Sequence, residues 1–68
     1  MDLAKIMGRN VRAFRKSKGM SQEDLALEVG MKRSYVSDME RGVRNPTVKA
    51  IERLAKALKV EAEELLRR

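Results

Sequence analysis

Three polar side chains, Arg33, Ser34 and Asp38, recur at helical spacing within residues 32–41. Arginine bonds bidentately to O6 and N7 of guanine, serine bonds to several base edges, and aspartate accepts a hydrogen bond from N4 of cytosine. A helix that carries all three on its outer face, with Arg33 in the first turn, has the chemistry needed to read bases in the DNA major groove. The alternative is an ordinary solvated helix face.

Further polar residues on and around this helix are candidates for contacts with the DNA backbone or the groove edge. From the residues alone they are Gln22, Lys32, Ser37, Arg41, Arg44 and Asn45. Gln22 begins the preceding helix, where its amide and the free N–H groups together suit a phosphate. For Ser37 and Arg41 a solvated face is an equal alternative. Tyr35 is left open between packing against the end of the first helix and touching a thymine methyl group or a phosphate.

The composition favours a polyanionic partner and argues against an enzyme. The 68 residues carry a net charge of +6, and residues 1–20 hold six Lys or Arg against one Asp. A basic excess attracts nucleic acid. The sequence contains neither Cys nor His, so disulfides, thiolate metal sites and the commonest general base are all excluded. We expect no metal ion and no cofactor.

Apolar residues at helical spacing predict a single all-α domain of five helices over residues 1–68. The first helix ends at Lys18-Gly19, the second begins at the N-cap Ser21, and the third runs from about Lys32 to Arg41. Helices four and five occupy residues 47–66. Either Asn45 or Thr47 is predicted to cap helix four.

Helices two and three have the pattern of a helix-turn-helix unit at residues 22–41. Ala26 is predicted at the point where the two helices cross, because only a small side chain lets their backbones approach. Gly30 is predicted at a turn position with positive φ. A plain αα-corner is the alternative. Arg15 and Glu40 are expected to form a partly buried ion pair that fixes helix one against helix three.

Two strings carry a family resemblance: Gly19-Met20-Ser21-Gln22-Glu23-Asp24-Leu25-Ala26 and Ser34-Tyr35-Val36-Ser37-Asp38-Met39-Glu40-Arg41-Gly42. With these strings the sequence resembles the Cro/C1-type (XRE-like) helix-turn-helix family over nearly its whole length. Residues 32–37 and 41–46 are most similar to controller proteins of restriction–modification systems.

The resemblance implies a five-helix lambda-repressor-like fold and a homodimer that binds palindromic operators in double-stranded DNA. Carried over by position, the base readers are Arg33, Ser34 and Asp38. By the same resemblance Gln22, Asn45 and Thr47 grip phosphate, and Tyr35 and Arg44 assist at the groove edge. Glu61 departs from the family, in which Ser or Thr often caps helix five, so a looser start of that helix is expected.

The dimer surface is predicted near the C-terminus. Leu65 and Leu66 are adjacent, so one helix cannot bury both in a small core, and one of them is expected to face outward near Val60. A single exposed leucine is the alternative, since such residues are common on protein surfaces.

The function predicted from these features is sequence-specific transcriptional regulation. The alternative is a protein-interaction module, such as an antitoxin or an adaptor, that uses the same fold; an enzyme is a distant third. No apolar run has the length of a membrane span or resembles a signal peptide. We therefore expect a cytoplasmic protein, associated with the nucleoid through DNA. Repressors of the family often append a ligand-binding domain, which this sequence does not show, so we also expect no small-molecule effector.

Overall fold

The computed structural model describes residues 2–68, which form five helices and no strand. They are α1 (Leu3–Ser17), α2 (Gln22–Val29), α3 (Arg33–Glu40), α4 (Val48–Leu58) and α5 (Ala62–Leu65). The predicted all-α, five-helix architecture is confirmed. Within residues 2–68, no helix has both the length and the hydropathy that crossing a membrane requires.

Local capping sets where α2 and α4 begin. The Ser21 hydroxyl accepts from the Asp24 N–H and the Asp24 carboxylate accepts from the Ser21 N–H, both at 2.9 Å, which forms a capping box. At α4, the Thr47 hydroxyl accepts from the Ala50 N–H at 3.0 Å. Thr47, rather than Asn45, is therefore the N-cap.

The start of α5 is capped, whereas the sequence predicts a looser start for this helix. The Glu64 carboxylate accepts from the Glu61 N–H at 2.8 Å, so the start of α5 is closed by a side chain although Glu61 is neither Ser nor Thr. Just before it, Lys59 ends α4 in the left-handed region, with φ of 58°. A non-glycine residue in this conformation is under steric strain.

The core lies between α1, α2, α3 and α4, and α5 closes one end. Its fully buried large side chains are Met7, Val11, Leu25, Val36, Met39, Leu54, Leu58 and Leu65. Leu65 is 0% exposed, whereas Leu66 is 37% exposed. The expectation that one of the two leucines faces outward is therefore confirmed for Leu66, whereas the inclusion of Leu65 in the dimer surface is wrong, because the phase of α5 turns this side chain into the core. Val60 is half-buried and packs against the core.

A glycine in the middle of α1 permits the close approach of α1 to α3. A Cβ atom at Gly8 would overlap the carbonyl oxygens of Met39 and Glu40. Gly8 is buried, and the contact brings the backbone of α1 against the C-terminal end of α3. This contact holds α3 at its position relative to α1, and the sequence analysis did not identify it.

Candidate nucleic-acid interface

The turn between α2 and α3 has the geometry that the sequence predicts. Gly30 ends α2 with φ of 71°, a conformation that glycine adopts without steric cost. The Met31 N–H donates to the Ala26 carbonyl at 2.9 Å, which closes the turn. Ala26 is buried between the helices. The turn therefore orients α3 rigidly relative to α2.

The first turn of α3 presents an exposed polar surface. Lys32, Arg33 and Ser34 are all exposed. Within residues 2–68, the side chains of Arg33 and Ser34 make no hydrogen bond or ion pair, so their donors are available to an external partner. Two of the predicted base-reading residues thus lie side by side at the end of α3 that approaches base edges most closely.

The third predicted base reader, Asp38, is engaged within the protein. Its Oδ1 lies 2.6 Å from Nη2 of Arg41, and its Oδ2 lies 3.5 Å from Nη2 of Arg44. The guanidinium of Arg44 also stacks over the Tyr35 ring, 4.7 Å from its centroid. The hydrogen bond from Arg41 is the main reason that the pKa of Asp38 lies below its usual range. Asp38 therefore stays ionised and holds two cations.

Tyr35 packs against the core on one side and contacts Arg44 on the other. The residue is half-buried, and its ring packs against the core. The exposed side of the ring carries Arg44. Tyr35 therefore supports the loop that follows α3.

Gln22 points inward rather than toward solvent. Its Nε2 donates to Glu40 Oε1 at 3.1 Å, and the residue is half-buried. Glu40 accepts one of the two N–H donors of this NH₂ group, which leaves the other for the predicted phosphate contact. In the first turn of α2 the Asp24 N–H donates to the Ser21 hydroxyl, which leaves the N–H groups of Gln22 and Glu23 next to the carboxylates of Glu23 and Asp24.

The ion pair expected between Arg15 and Glu40 is present. Arg15 Nε donates to Glu40 Oε2 at 2.7 Å, and Arg15 Nη2 donates to Glu40 Oε1 at 3.1 Å. Arg15 Nη1 also donates to the Met20 carbonyl at 2.7 Å. The hydrogen bond to Glu40 raises the pKa of Arg15 above its usual range. With Gln22, these groups tie α1 and the start of α2 to the last turn of α3.

The remaining predicted backbone contacts lie beside α3. Ser37 is half-buried on α3, and Asn45 and Thr47 are exposed in the loop before α4. The Thr47 oxygen accepts the capping bond, but its O–H can still donate to a phosphate. These residues, with Arg41 and Arg44, extend the polar surface from α3 to the start of α4.

Two polar side chains that the sequence analysis missed stabilise the frame. Asn10 Nδ2 donates to the carbonyls of Leu65 at 2.9 Å and Arg67 at 2.6 Å, which fastens the C-terminus to α1. Arg53 Nη2 donates to the Val29 carbonyl and so caps the end of α2 from α4. Neither contact has a local sequence signal, because the partners are carbonyls distant in the chain.

The arrangement suits recognition of a surface rather than catalysis. Among residues 2–68, no group of three or more acidic side chains is placed to hold a metal ion. The available chemistry consists of exposed hydrogen-bond donors and cations on a helix that packs against α1 and α2. Such a helix can enter a groove of double-stranded DNA.

Comparisons with known proteins support this interpretation. The profile of the helix-turn-helix family matches residues 11–65. The control protein C.BamHI of Bacillus amyloliquefaciens is 48% identical over 62 residues, which are 90% of this chain and 76% of that protein. The restriction-modification controller protein C.AhdI of Aeromonas hydrophila superposes with a TM-score of 0.88 at 45% identity, over 91% of this chain and 94% of that structure.

A third relative was solved with its ligand. The biofilm regulator SinR in complex with DNA superposes with a TM-score of 0.85 at 34% identity, over 90% of this chain and 98% of that structure. The relatives are transcriptional regulators and not enzymes. The chain belongs to the helix-turn-helix family of DNA-binding transcriptional regulators and is similar to restriction–modification controller proteins.

Proposed function

We propose that this protein regulates transcription by binding a palindromic operator as a homodimer. The observation that carries this proposal is the pair of unengaged side chains, Arg33 and Ser34, at the exposed start of α3. Arg33 reads guanine and Ser34 a neighbouring base edge. Tyr35 and Arg44 lie at the groove edge.

Contacts with phosphate supply most of the affinity. Lys32 and Asn45 lie on either side of α3 and are exposed, and Thr47 retains a free hydroxyl proton. Ser37 and Arg41 extend this surface along α3. Gln22 joins it through its backbone N–H and through the side-chain N–H that Glu40 does not accept. The protein acts in the cytoplasm at the nucleoid, with DNA and a second copy as partners and without a small-molecule effector.

The dimer forms through an apolar groove of about 220 Å³ in which Leu66 lies beside Leu3, Pro46 and Ile51. Leu3 and Leu66 are exposed apolar side chains. The groove includes Asn45 and Pro46 of the loop that follows α3. A second copy seated there fixes the two α3 helices relative to each other, about 34 Å apart on one face of DNA.

Selection of bound sequences from a random DNA pool tests the operator. We expect a two-fold-symmetric site, because an isologous dimer presents two identical α3 helices. Enrichment of a single asymmetric half-site would contradict the homodimer, and no enrichment would contradict sequence-specific binding.

Light scattering after size-exclusion chromatography tests the dimer surface. Leu66→Glu places a charge in the groove and is expected to give a monomer. Leu27→Glu is the matched control, because Leu27 is an exposed leucine on α2, outside this groove. A Leu66→Glu protein that remains dimeric would exclude this surface.

A further inference from the structure

Asp38 and its three neighbours, Tyr35, Arg41 and Arg44, form a compact charged group on α3 and the loop after it; we call it the Asp38 cluster. Both carboxylate oxygens of Asp38 are in use, one by each arginine. The Tyr35 ring supports Arg44 from the other side. Each of these oxygens already faces one guanidinium group, so only its second lone pair is left for the N4 amino group of a cytosine.

The cluster is open to solvent. The side chain of Asp38 is 31% exposed, and those of Arg41 and Arg44 are 66% and 48% exposed. Ion pairs at such positions contribute little to stability. Each arginine can therefore leave the carboxylate for another anion at small cost.

The natural replacement for the carboxylate is a DNA phosphate. Guanidinium groups bind carboxylates and phosphates in the same bidentate or end-on geometry. Arg41 and Arg44 lie on the polar surface that is proposed to face DNA. While the two arginines are paired with Asp38, part of their positive charge is neutralised. They therefore hold fewer anions from solution, and they attract DNA phosphate less strongly than free arginines would.

We propose that Asp38 is an internal counterion, which Arg41 and Arg44 exchange for DNA phosphate on binding. This inference rests on the proposed function and assigns Asp38 a positioning role in place of base reading. The exchange lowers the affinity for every duplex by replacing one ion pair with another, and it reduces the salt dependence of binding. Asp38 also holds Arg44 against Tyr35 in a single position before DNA arrives.

Asp38→Asn tests the proposal in anisotropy titrations of the full chain against a random-sequence duplex at several salt concentrations. We expect tighter binding than that of the wild type. The slope of log affinity against log salt should steepen by up to about 0.9 for each arginine that is released. Glu63→Gln is the matched control, because it makes the same charge change on α5, which packs against α1 and α4. It should shift affinity less and leave the slope unchanged.

A protein that lacks both arginines shows whether Asp38 acts through them or only through the net charge of the protein. In the Arg41→Gln/Arg44→Gln protein, Asp38→Asn should change affinity no more than Glu63→Gln does. Circular dichroism checks that each variant folds, and Asp38→Ser serves as a second substitution at the same exposed position.

Two results with the Asp38→Asn protein would overturn the proposal. The first is an Asp38→Asn protein that matches Glu63→Gln in affinity and slope. The second is an Asp38→Asn protein that binds random DNA like the wild type but loses operator preference at one base pair of each half-site, which would make Asp38 a direct base reader. Random duplex suffices for the main test. A wild type that binds duplexes without sequence preference would therefore contradict the proposed function alone, and one that binds no duplex would contradict both.

Discussion

The guanidinium group of Arg15 lies against the carboxylate of Glu40, with 2.7 Å between Nε and Oε2. Their side chains are only 9% and 4% exposed. Glu40 is the last residue of α3, so this pair joins α1 to the end of the helix that carries Arg33. Because Gln22 donates to the same carboxylate, three of the helices converge on it.

Removal of one partner of this pair should destabilise the fold strongly. Glu40→Leu leaves the Arg15 charge buried without an anion, and breaking such a pair typically costs about 3–5 kcal/mol. We expect a loss of about 3 kcal/mol in the free energy of unfolding, measured by urea denaturation with circular dichroism. The double variant Arg15→Met/Glu40→Leu should recover most of it, because no charge remains buried. A Glu40→Leu protein whose free energy of unfolding lies within about 0.5 kcal/mol of the wild type would show that the ion pair is exposed to solvent.

Gly8→Ala should destabilise the protein although alanine is the better helix former. The propensity gain is about 1 kcal/mol, but the added Cβ overlaps two carbonyl oxygens of α3. Since backbone atoms cannot move aside cheaply, we expect a net loss of about 2 kcal/mol or more in the free energy of unfolding. Gly19→Ala is the control: its φ is 68° with open space around it, so only the strain of about 1 kcal/mol applies. A neutral Gly8→Ala variant would disprove the close α1–α3 contact.

Local features of the fold were predictable from the sequence because their causes are local. The capping box of Ser21 and Asp24 and the turn at Gly30 depend on residues within one helical turn. The ion pair of Arg15 and Glu40 joins residues far apart in the chain, but it was predictable because both charged residues lie near the inner edges of their helices. Each feature requires only the helical period and the chemistry of one or two side chains.

Other features depend on geometry that one-dimensional spacing does not contain. The packing of Gly8 against α3 and the bonds of Asn10 to C-terminal carbonyls join residues far apart in the chain. The choice between Leu65 and Leu66 depends on the phase of a four-residue helix. At the candidate site, Arg33 and Ser34 are as exposed as their positions suggest, whereas Asp38 turns to two arginines, one of them beyond the end of α3.

Acid should destabilise the protein partly through Asp24. The backbone N–H of Ser21 bonds to this carboxylate and lowers its pKa. A carboxyl group whose folded pKa is below its unfolded value stabilises the fold at pH values above the unfolded pKa of about 3.9. That stability is lost as the pH falls through the folded pKa, since the unfolded chain then binds more protons.

The measurement is the urea midpoint of unfolding between pH 6 and pH 3, where Asp24→Asn should lose less stability than the wild type. Parallel curves for the two proteins would show that the capping carboxylate does not titrate differently in the folded state.

Lys59→Gly should stabilise the protein. Lys59 has φ of 58° at the end of α4, and glycine occupies this region without the Cβ penalty. We expect a gain of about 1 kcal/mol in the free energy of unfolding. Lys56→Gly, three residues earlier and inside α4, makes the same side-chain change at a helical position and should cost about 0.5–1 kcal/mol. Thermal or urea denaturation should show changes of opposite sign in the free energy of unfolding at the two positions. A loss of stability at both positions would contradict the left-handed conformation of Lys59.

Base reading by the exposed first turn of α3 is tested most directly by comparative titration of a selected operator. The titrations measure wild type, Arg33→Ala and Lys32→Ala by anisotropy against the operator and against random duplex. The wild type should prefer the operator. Arg33→Ala should lose about 1–3 kcal/mol on the operator and relax one position in each half-site, whereas Lys32→Ala should weaken both duplexes alike. Equal binding of the two duplexes by the wild type, or an Arg33→Ala protein with unchanged preference, would contradict the account.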